Sequence, residues 1–447
     1  MIVRNILEDL REWKDRKTRK PLVLRGARQV GKTTVIKQFA KEFDVFIDMN
    51  LEIEEERNLF ERESDGNAKE LLLKIKILKN VPQKKGSTLL FIDEIQHSPK
   101  AIWMLRYFYE TIPELYVITA GSLLESLMGM RRISFPVGRV EYMVLRPCGF
   151  DEFLQGIHQH NDLEALKSLQ ADVIHDRMLI HFRDYLLAGG MPQVITEFYE
   201  NERNILALRP VFESLLQSYM EDVEKYADNN TKINTVRYIL SHGWDMAAET
   251  ISFENFAGGK YKSREMSEAF DLLTKTMLLE LVYPTNSSML PMLPNMRMRP
   301  KLLWLDTGLV NFMSGIQKDV FSTENIQDIW RGRIAEHITA QMMIASDKSP
   351  LTHHIYWRRN KQGSEAEVDF LLPYDSKLIP IEVKSGHNSK LKSLHIFMQE
   401  TNLDFAVRVW NQKFSIDEVI KNNKSFRLLN IPFYYCGMLP DIINKYI

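Results

Sequence analysis

Short apolar runs alternate with amphipathic stretches over the first third of the chain. The runs are rich in β-branched and aromatic residues, which is typical of strands buried on both faces of a parallel sheet. The stretches between them show the period of helices that cover such a sheet. Five strands are predicted, at residues 21–24, 45–48, 89–92, 116–119 and 140–144. The pattern therefore predicts a doubly wound α/β domain over residues 1–148.

The pattern changes after this first domain. Residues 149–228 are predicted to form a helical region, and residues 229–320 a small winged-helix-like domain. In the latter, the apolar runs at 278–283 and 301–305 are predicted to pair as the strands of a wing. The remaining segment, 321–447, has the order helix, three strands, helix, strand. This order predicts a second, separate α/β unit.

The first predicted strand runs into the sequence GARQVGKT, which fits the phosphate-loop pattern G-x-x-x-x-G-K-[S/T]. Backbone N–H groups of such a loop bind phosphate at the positive end of the following helix. Lys32 is expected to reach the β- and γ-phosphates, and the Thr33 hydroxyl to bind Mg²⁺. A chance glycine turn beside a surface lysine is the alternative. The predicted nucleotide-binding residues are Gly26, Ala27, Arg28, Gln29, Val30, Gly31, Lys32, Thr33 and Thr34.

A second segment supports the nucleotide hypothesis. The apolar run at 89–92 ends in two carboxylates, Asp93 and Glu94. Asp93, at the carboxyl end of a buried strand, is predicted to hold Mg²⁺ through water. Glu94 is predicted to polarise the attacking water. The solvated end of an ordinary strand is the alternative, but an upstream phosphate loop favours catalysis.

Composition narrows the classes of partner. Lys and Arg total 58 against 59 Asp and Glu, so any nucleic-acid contact must come from a local patch of charge. Cys148 and Cys436 lie far apart in sequence, which favours reduced structural thiols in a cytoplasm. No apolar run is long enough for a membrane span, and the amphipathic N-terminus mixes acids and bases, unlike a signal peptide. We expect a cytoplasmic protein without a membrane partner.

Four residues of the last unit suggest a second site. Glu382 and Lys384 lie on one face of a predicted strand, and Asp369 lies near the end of the strand before it. Glu336, on the preceding helix, could complete the cluster. Two carboxylates can hold a divalent metal, and a lysine can stabilise the charge that develops at a phosphorus centre. A solvated polar face on a hairpin would look similar, so a second divalent metal is one of two alternatives.

The segment 353–361, HHIYWRRNK, interleaves cations with aromatic residues. Such a pattern suits binding of a DNA or RNA backbone together with stacking on bases. A charged, solvated strand edge explains the pattern equally well. The adjacent His353 and His354 are expected on opposite faces of a strand, so they do not predict a joint metal site.

With both halves considered, the chain resembles a prokaryotic family of AAA+-type ATPases whose C-terminal domain of unknown function (DUF4143) is similar to PD-(D/E)XK, restriction-endonuclease-like folds. The resemblance covers nearly the whole chain. The phosphate loop and the carboxylate-tipped strand are its specific motifs, and the others are distinctive in combination. It rests on residues 26–34, 91–96, 118–122, 137–140, 306–309, 367–370 and 381–384.

The resemblance implies further roles. Ser122 occupies the position of the polar sensor that detects the γ-phosphate. Arg139 is a candidate arginine finger or sensor, acting in its own chain or supplied by a neighbouring copy in a homo-oligomer. The C-terminal fold it implies is that of a nuclease, although that half of the family need not be catalytic.

These patterns predict a Mg²⁺-dependent ATPase whose hydrolysis cycle moves the C-terminal half. In one interpretation, Asp369, Glu382 and Lys384 cut a nucleic-acid phosphodiester under nucleotide control. In another, the same fold only grips DNA or a protein partner, and the ATPase is a slow switch. A third interpretation is a stress-response or toxin–antitoxin-like signalling ATPase with a protein partner.

Overall fold

Five parallel strands form the sheet of the first domain in the computed structural model. The strand order is β2-β3-β4-β1-β5, as the apolar runs predict for a parallel α/β domain. The strands are β1 (Leu22–Arg25), β2 (Val45–Asn50), β3 (Thr88–Asp93), β4 (Tyr116–Ala120) and β5 (Glu141–Val144). The structure describes every residue except 1, 64, 83–84, 122–135, 137, 225–226, 228, 316–331, 348, 350–351, 360–364, 385–390, 423 and 447.

Helices cover both faces of this sheet. Leu22 and Leu24 of β1 join one apolar core, while Val23 between them joins the other. Successive strand residues point to opposite faces, so a strand covered on both sides must be apolar throughout. The helices of this domain are α1 (Ile6–Asp15), α2 (Lys32–Phe39), α3 (Glu54–Glu61), α4 (Ala68–Leu78) and α5 (Pro99–Thr111).

A series of helices follows the first domain. A tight turn separates its third and fourth helices: Gly189 ends one with φ of 75°, and Pro192 begins the next. Among the described residues, no helix is both long and apolar enough to cross a bilayer. The helices are α6 (Phe150–Gly156), α7 (His160–Lys167), α8 (His175–Ala188), α9 (Pro192–Glu200) and α10 (Arg209–Glu224).

The middle region contains helices and a strand pair. β6 pairs antiparallel with β8, so the two apolar runs form a strand pair, which we call the wing. Trp304 of β8 stacks on Trp244 with ring centroids 3.9 Å apart, which anchors the wing on the helices. The elements are α11 (Asn230–His242), α12 (Ser263–Lys275), β6 (Leu279–Val282), β7 (Pro284–Thr285), β8 (Lys301–Trp304) and α13 (Thr307–Met313).

A mixed sheet dominates the C-terminal region. Its five strands lie in the order β11-β12-β13-β15-β14. The elements are α14 (Gly332–Ala345), β9 (Tyr356–Arg358), β10 (Glu367–Val368), β11 (Phe370–Tyr374), β12 (Lys377–Val383), α15 (Lys392–Glu400), β13 (Phe405–Trp410), β14 (Ser415–Lys421), β15 (Lys424–Pro432) and α16 (Leu439–Tyr446).

The strand order of this region departs from the prediction in two places. A bend at Asp369 divides the predicted strand at 367–372, because its two halves join different sheets. β10 pairs with β9, and β9 pairs in parallel with β7 of the middle region. The hairpin of β14 and β15 was not predicted. One small sheet therefore spans the boundary between the middle and C-terminal regions.

Asp306 joins three distant segments through one buried carboxylate. Its Oδ1 accepts the backbone N–H of Leu309 at 3.1 Å and caps α13. Its Oδ2 accepts the N–H of Gly190 at 2.5 Å and Nε2 of Gln341 on α14 at 3.2 Å. The backbones also meet closely, since a Cβ on Gly308 would lie 2.4 Å from the carbonyl oxygen of Ala188. The helical turn, the wing and α14 are thereby fixed to one another.

We expect Asp306→Ala to lower the free energy of unfolding by about 2–4 kcal/mol, because it removes a helix cap and leaves a buried N–H without an acceptor. Urea titration followed by circular dichroism measures this change. Asp271→Ala is the matched control, since Asp271 forms an exposed pair with Lys275, and it should change stability by less than about 0.5 kcal/mol. Equal effects of the two substitutions would show that Asp306 does not hold the junction.

Candidate functional sites

The phosphate-loop sequence forms a turn between β1 and the amino end of α2. Two of its glycines have backbone angles that other residues rarely adopt, with φ of 150° at Gly26 and 97° at Gly31. A Cβ on Gly26 would lie only 2.4 Å from the carbonyl oxygen of Leu145. The loop therefore needs glycine at this position for steric as well as conformational reasons. Its place at a helix amino end suits an anion.

Lys32 turns its ammonium group back onto the loop. Its Nζ donates to the carbonyl oxygens of Gly26 and Ala27, at 3.0 and 2.8 Å. Desolvation lowers the pKa of Lys32 to about 8, while the charges of Glu94 and Asp93 act in the opposite direction. A poorly solvated ammonium bound only to neutral carbonyls would gain from a phosphate anion.

Thr33 and Asp93 lie close enough to share one ion. The Thr33 hydroxyl donates to Oδ2 of Asp93 at 2.6 Å. Burial raises the pKa of Asp93, and the hydrogen bond from Thr33 opposes that change. A hydroxyl and a carboxylate are hard oxygen ligands of the kind that Mg²⁺ prefers. The two residues predicted as metal ligands therefore fit that ion.

Glu94 directly follows β3 in the left-handed backbone region, with φ of 51°. Its carboxylate accepts a hydrogen bond from the side chain of Gln96. Burial raises the pKa of Glu94 above its ordinary value. Ligand atoms of Glu94, Glu52 and His97 lie within 4.8 Å of one another, so this edge of the sheet is acidic. A half-buried carboxylate beside the loop suits the predicted role of orienting water.

The structure describes one of the two residues that the resemblance places at the phosphate. Ser122 lies outside the described residues. Arg139 precedes β5 at the amino end of the sheet, where its guanidinium pairs with Glu110 at 2.9 Å. The loop lies at the carboxyl end of β1, and four strand residues put the two ends about 10 Å apart. Arg139 is thus remote from the loop of its own chain.

Helix α10 contacts the loop, which the sequence did not predict. Arg28 pairs with Asp222, and Nε2 of Gln29 donates to Oγ of Ser218 at 3.0 Å. The hydroxyl of Tyr219 donates to the carbonyl of Arg28 at 3.4 Å. Contacts between residues almost 200 positions apart leave no local signal in a sequence. The loop therefore has a second face, made by the helical region.

Arg4 was also missed, although it is buried against the loop. Its guanidinium donates to the carbonyl oxygens of Val30 at 2.8 Å and Arg146 at 2.6 Å, and it pairs with Glu152 at 3.1 Å. Burial opposes the charge on Arg4, but nearby anionic groups, Glu152 among them, leave its pKa raised. Its partners lie 26 to 148 positions away in the chain, so no local pattern indicates this role. Arg4 therefore links the phosphate loop to Arg146 and Glu152.

The four predicted residues of the C-terminal cluster do come together, and two further residues join them. Lys301 of β8 lies 2.5 Å from Glu336, 2.6 Å from Glu367 and 4.0 Å from Asp369. Lys384 pairs with Glu382 at 2.8 Å, and Oδ2 of Asp369 accepts the N–H of Val383 at 2.7 Å. We call Lys301, Glu336, Glu367, Asp369, Glu382 and Lys384 the C-terminal cluster.

Burial shapes the chemistry of this cluster. Glu382 is only 3% exposed, so the alternative of a solvated hairpin face is wrong. Desolvation, together with Asp369, raises the pKa of Glu382, and it raises that of Glu336 as well. Burial alone would lower the pKa of Lys301, but the carboxylates, Glu336 foremost, raise it. The cluster is a compact group of paired charges inside the protein.

The interleaved aromatic residues of the segment 353–361 face inward. Trp357 is 2% exposed and meets Phe397 edge to face, with centroids 4.9 Å apart. Tyr356 is fully buried under Lys301. These two rings therefore cannot stack on bases. The two histidines precede β9 and both reach Glu280, so the expectation of opposite strand faces is wrong.

Comparison with known families agrees with the loop geometry. Residues 18–154 match a family described as AAA domain. Two further matches, at 179–320 and 331–432, are to domains of unknown function (DUF8612 and DUF4143). Comparison with curated proteins gives no significant match. The chain thus contains a P-loop ATPase domain of the AAA type, which implies use of a nucleotide and Mg²⁺.

Solved structures that resemble the chain include P-loop ATPases. A Walker-type ATPase of Pyrococcus abyssi is 14% identical, with a TM-score of 0.44, covering 70% of this chain and 96% of its own. RuvB of Thermotoga maritima is 17% identical, with a TM-score of 0.30 and coverages of 63% and 90%. A signal transduction ATPase with numerous domains from Pyrococcus horikoshii is 13% identical, with a TM-score of 0.28 and coverages of 75% and 46%.

We expect Asp222→Asn to tighten ADP binding roughly fivefold, because it removes a negative charge that faces the phosphate loop. Isothermal titration calorimetry in magnesium buffer measures the affinity. Glu221→Gln is the matched control: it removes the same charge from the exposed side of α10, where Glu221 contacts Gln217. If Asp222→Asn binds ADP no more tightly than wild type, Asp222 does not oppose the phosphates.

Proposed function

We propose that this protein hydrolyses ATP with Mg²⁺ and uses the cycle to move its C-terminal region. The observation that carries the proposal is the arrangement at the start of α2. There the ammonium of Lys32 lies within a glycine loop, beside the 2.6 Å pair of Thr33 and Asp93. An anion site and a hard-cation site side by side are what a magnesium–nucleotide complex requires.

Each residue has one task in this proposal. Loop N–H groups and Lys32 bind the phosphates, and Thr33 and Asp93 hold Mg²⁺, which neutralises phosphate charge when bound. Glu94 orients the water that attacks the γ-phosphate. Ser122 is the proposed sensor of that phosphate. Arg139, remote from its own loop, is proposed to act on a neighbouring copy.

A continuous series of contacts supports the coupling to the C-terminal region. The loop contacts α10 through Arg28 and Gln29, and Tyr219 of α10 reaches the sulfur of Met191 at 3.8 Å. The neighbouring Gly190 binds Asp306, which binds Gln341 of α14. The same helix carries Glu336 of the C-terminal cluster. A phosphate that displaces α10 would act on this helix through three buried contacts.

The proposed target of this motion is the C-terminal cluster, acting as a nuclease-like site on DNA or RNA. Asp369, Glu382 and Lys384 lie within one compact group, as phosphodiester cleavage requires. A second candidate is a slow regulatory ATPase that grips a nucleic acid or protein without cutting. The salt bridges that Lys301 forms with Glu336 and Glu367 favour this alternative, because they neutralise carboxylates that a metal would need.

Lys32→Ala should abolish tight ATP binding, because it removes the cation of the anion site. Glu94→Gln should bind ATP as wild type does but hydrolyse it about a hundredfold more slowly or worse, because the amide cannot accept the water's proton. Calorimetry and phosphate release measure the two properties. Glu52→Gln, which removes the neighbouring carboxylate, should hydrolyse ATP near the wild-type rate. Wild-type turnover by Glu94→Gln would contradict the assignment.

The nuclease proposal predicts that the full-length protein, supplied with ATP and Mg²⁺ or Mn²⁺, cuts single- or double-stranded DNA. Asp369→Asn should abolish cleavage, because it removes a metal-binding charge. Asp375→Asn, in the exposed turn after β11, should not. Products are resolved on denaturing gels, and binding is followed by fluorescence anisotropy. Binding without cleavage in both metals would support the non-cutting switch instead.

A further inference from the structure

Lys301 is the one member of the C-terminal cluster that belongs to the middle region. It is the first residue of β8, whose pairing with β6 lies in the wing. The N–H of Leu302 also bonds to the carbonyl of Glu249 at 3.0 Å, within the same region. Yet the Lys301 side chain extends to the carboxylates and is only 5% exposed. The backbone of Lys301 therefore belongs to the middle region, while its ammonium group neutralises carboxylates of the C-terminal region.

The balance of charge in the cluster leaves room for a cation. Four carboxylates face two ammonium groups, and Lys384 serves Glu382. Lys301 contacts Glu336 at 2.5 Å and Glu367 at 2.6 Å, and it lies 4.0 Å from Asp369. Among the residues that the structure describes, none donates a hydrogen bond to the buried Oε2 of Glu382. A buried carboxyl oxygen without a partner is costly, and it indicates a position where a cation would be stabilised.

We propose that the ammonium of Lys301 and a divalent cation compete for the C-terminal cluster, so that the middle region controls whether this site holds a metal. With Lys301 in place, its charge repels the ion and occupies oxygens of Glu336 and Glu367. With Lys301 withdrawn, Glu336, Asp369 and Glu382 offer hard oxygen ligands of the kind that Mg²⁺ and Mn²⁺ prefer. The proposal rests on the nuclease-like role given to the cluster above, and adds how that role is switched.

Lysine suits a removable counter-ion. Its ammonium is a compact charge on a flexible stem. It makes one contact with each carboxylate, whereas an arginine can bind a carboxylate through two parallel hydrogen bonds. Lys301 also lies over the ring of Tyr356, with Nζ 4.6 Å from the centroid. Rotation about the side-chain bonds of Lys301 would break the contact with Glu336 without displacing β8 relative to α14.

Binding of Mn²⁺ to the nucleotide-free, full-length protein tests the proposal. Lys301→Met should bind one Mn²⁺ on the order of tenfold or more tightly than wild type at this cluster, because the competing charge is gone. Electron paramagnetic resonance of free Mn²⁺ measures the affinity. Adding Glu382→Gln to Lys301→Met should remove the gain. Lys301→Arg, which keeps the charge, should show none.

Two results would overturn the proposal: a folded Lys301→Met variant that binds Mn²⁺ no more tightly than wild type, or a gain that survives Glu382→Gln. If Lys301→Met does not fold, Lys301→Met combined with Glu367→Gln removes a carboxylate as well and keeps three candidate ligands. The same tightening is then expected. Metal binding requires neither ATP hydrolysis nor DNA cleavage. The Mn²⁺ affinity can therefore be interpreted even if either of these activities is absent.

Discussion

A single carboxylate that water does not reach, that of Asp306, connects the helical turn at Gly190, the cap of α13 and the side chain of Gln341. Burial raises the pKa of Asp306 to about 6, and its backbone N–H donors act against that rise. A buried acceptor of this kind cannot exchange one partner for solvent, so each partner fixes the position of the others. The relation between the helical region, the wing and α14 depends on this constraint.

Each of the two sites contains a lysine whose ammonium group binds oxygen atoms inside the protein. In the phosphate loop, Lys32 donates to carbonyl oxygens in the place where phosphate is expected. In the C-terminal cluster, Lys301 neutralises carboxylates that would otherwise attract a metal. In each case a flexible ammonium satisfies the site internally. A ligand must therefore interact more strongly with the site than the internal contact that it replaces. This requirement favours ligands of high charge.

How much of the structure could be predicted from the sequence depends on how far apart in the chain the contacting residues lie. The five parallel strands and the glycine loop follow from local pattern and spacing, and the structure contains them. Glu336, Asp369, Glu382 and Lys384 could be grouped because consecutive elements carry them. Lys301, Glu367 and Asp222 could not be added from pattern alone, since their contacts depend on tertiary packing. The strand β14 was missed because its residues are mostly exposed and show no clear alternation.

The small sheet that joins β7, β9 and β10 has a consequence for how the regions can move. Its ladder links the middle and C-terminal regions by main-chain hydrogen bonds that do not depend on side-chain identity. Complete separation of the two regions would expose unpaired strand edges, whereas twisting about the ladder would not. Rotation about the ladder is the relative motion that keeps these bonds, and it displaces each atom in proportion to its distance from the ladder.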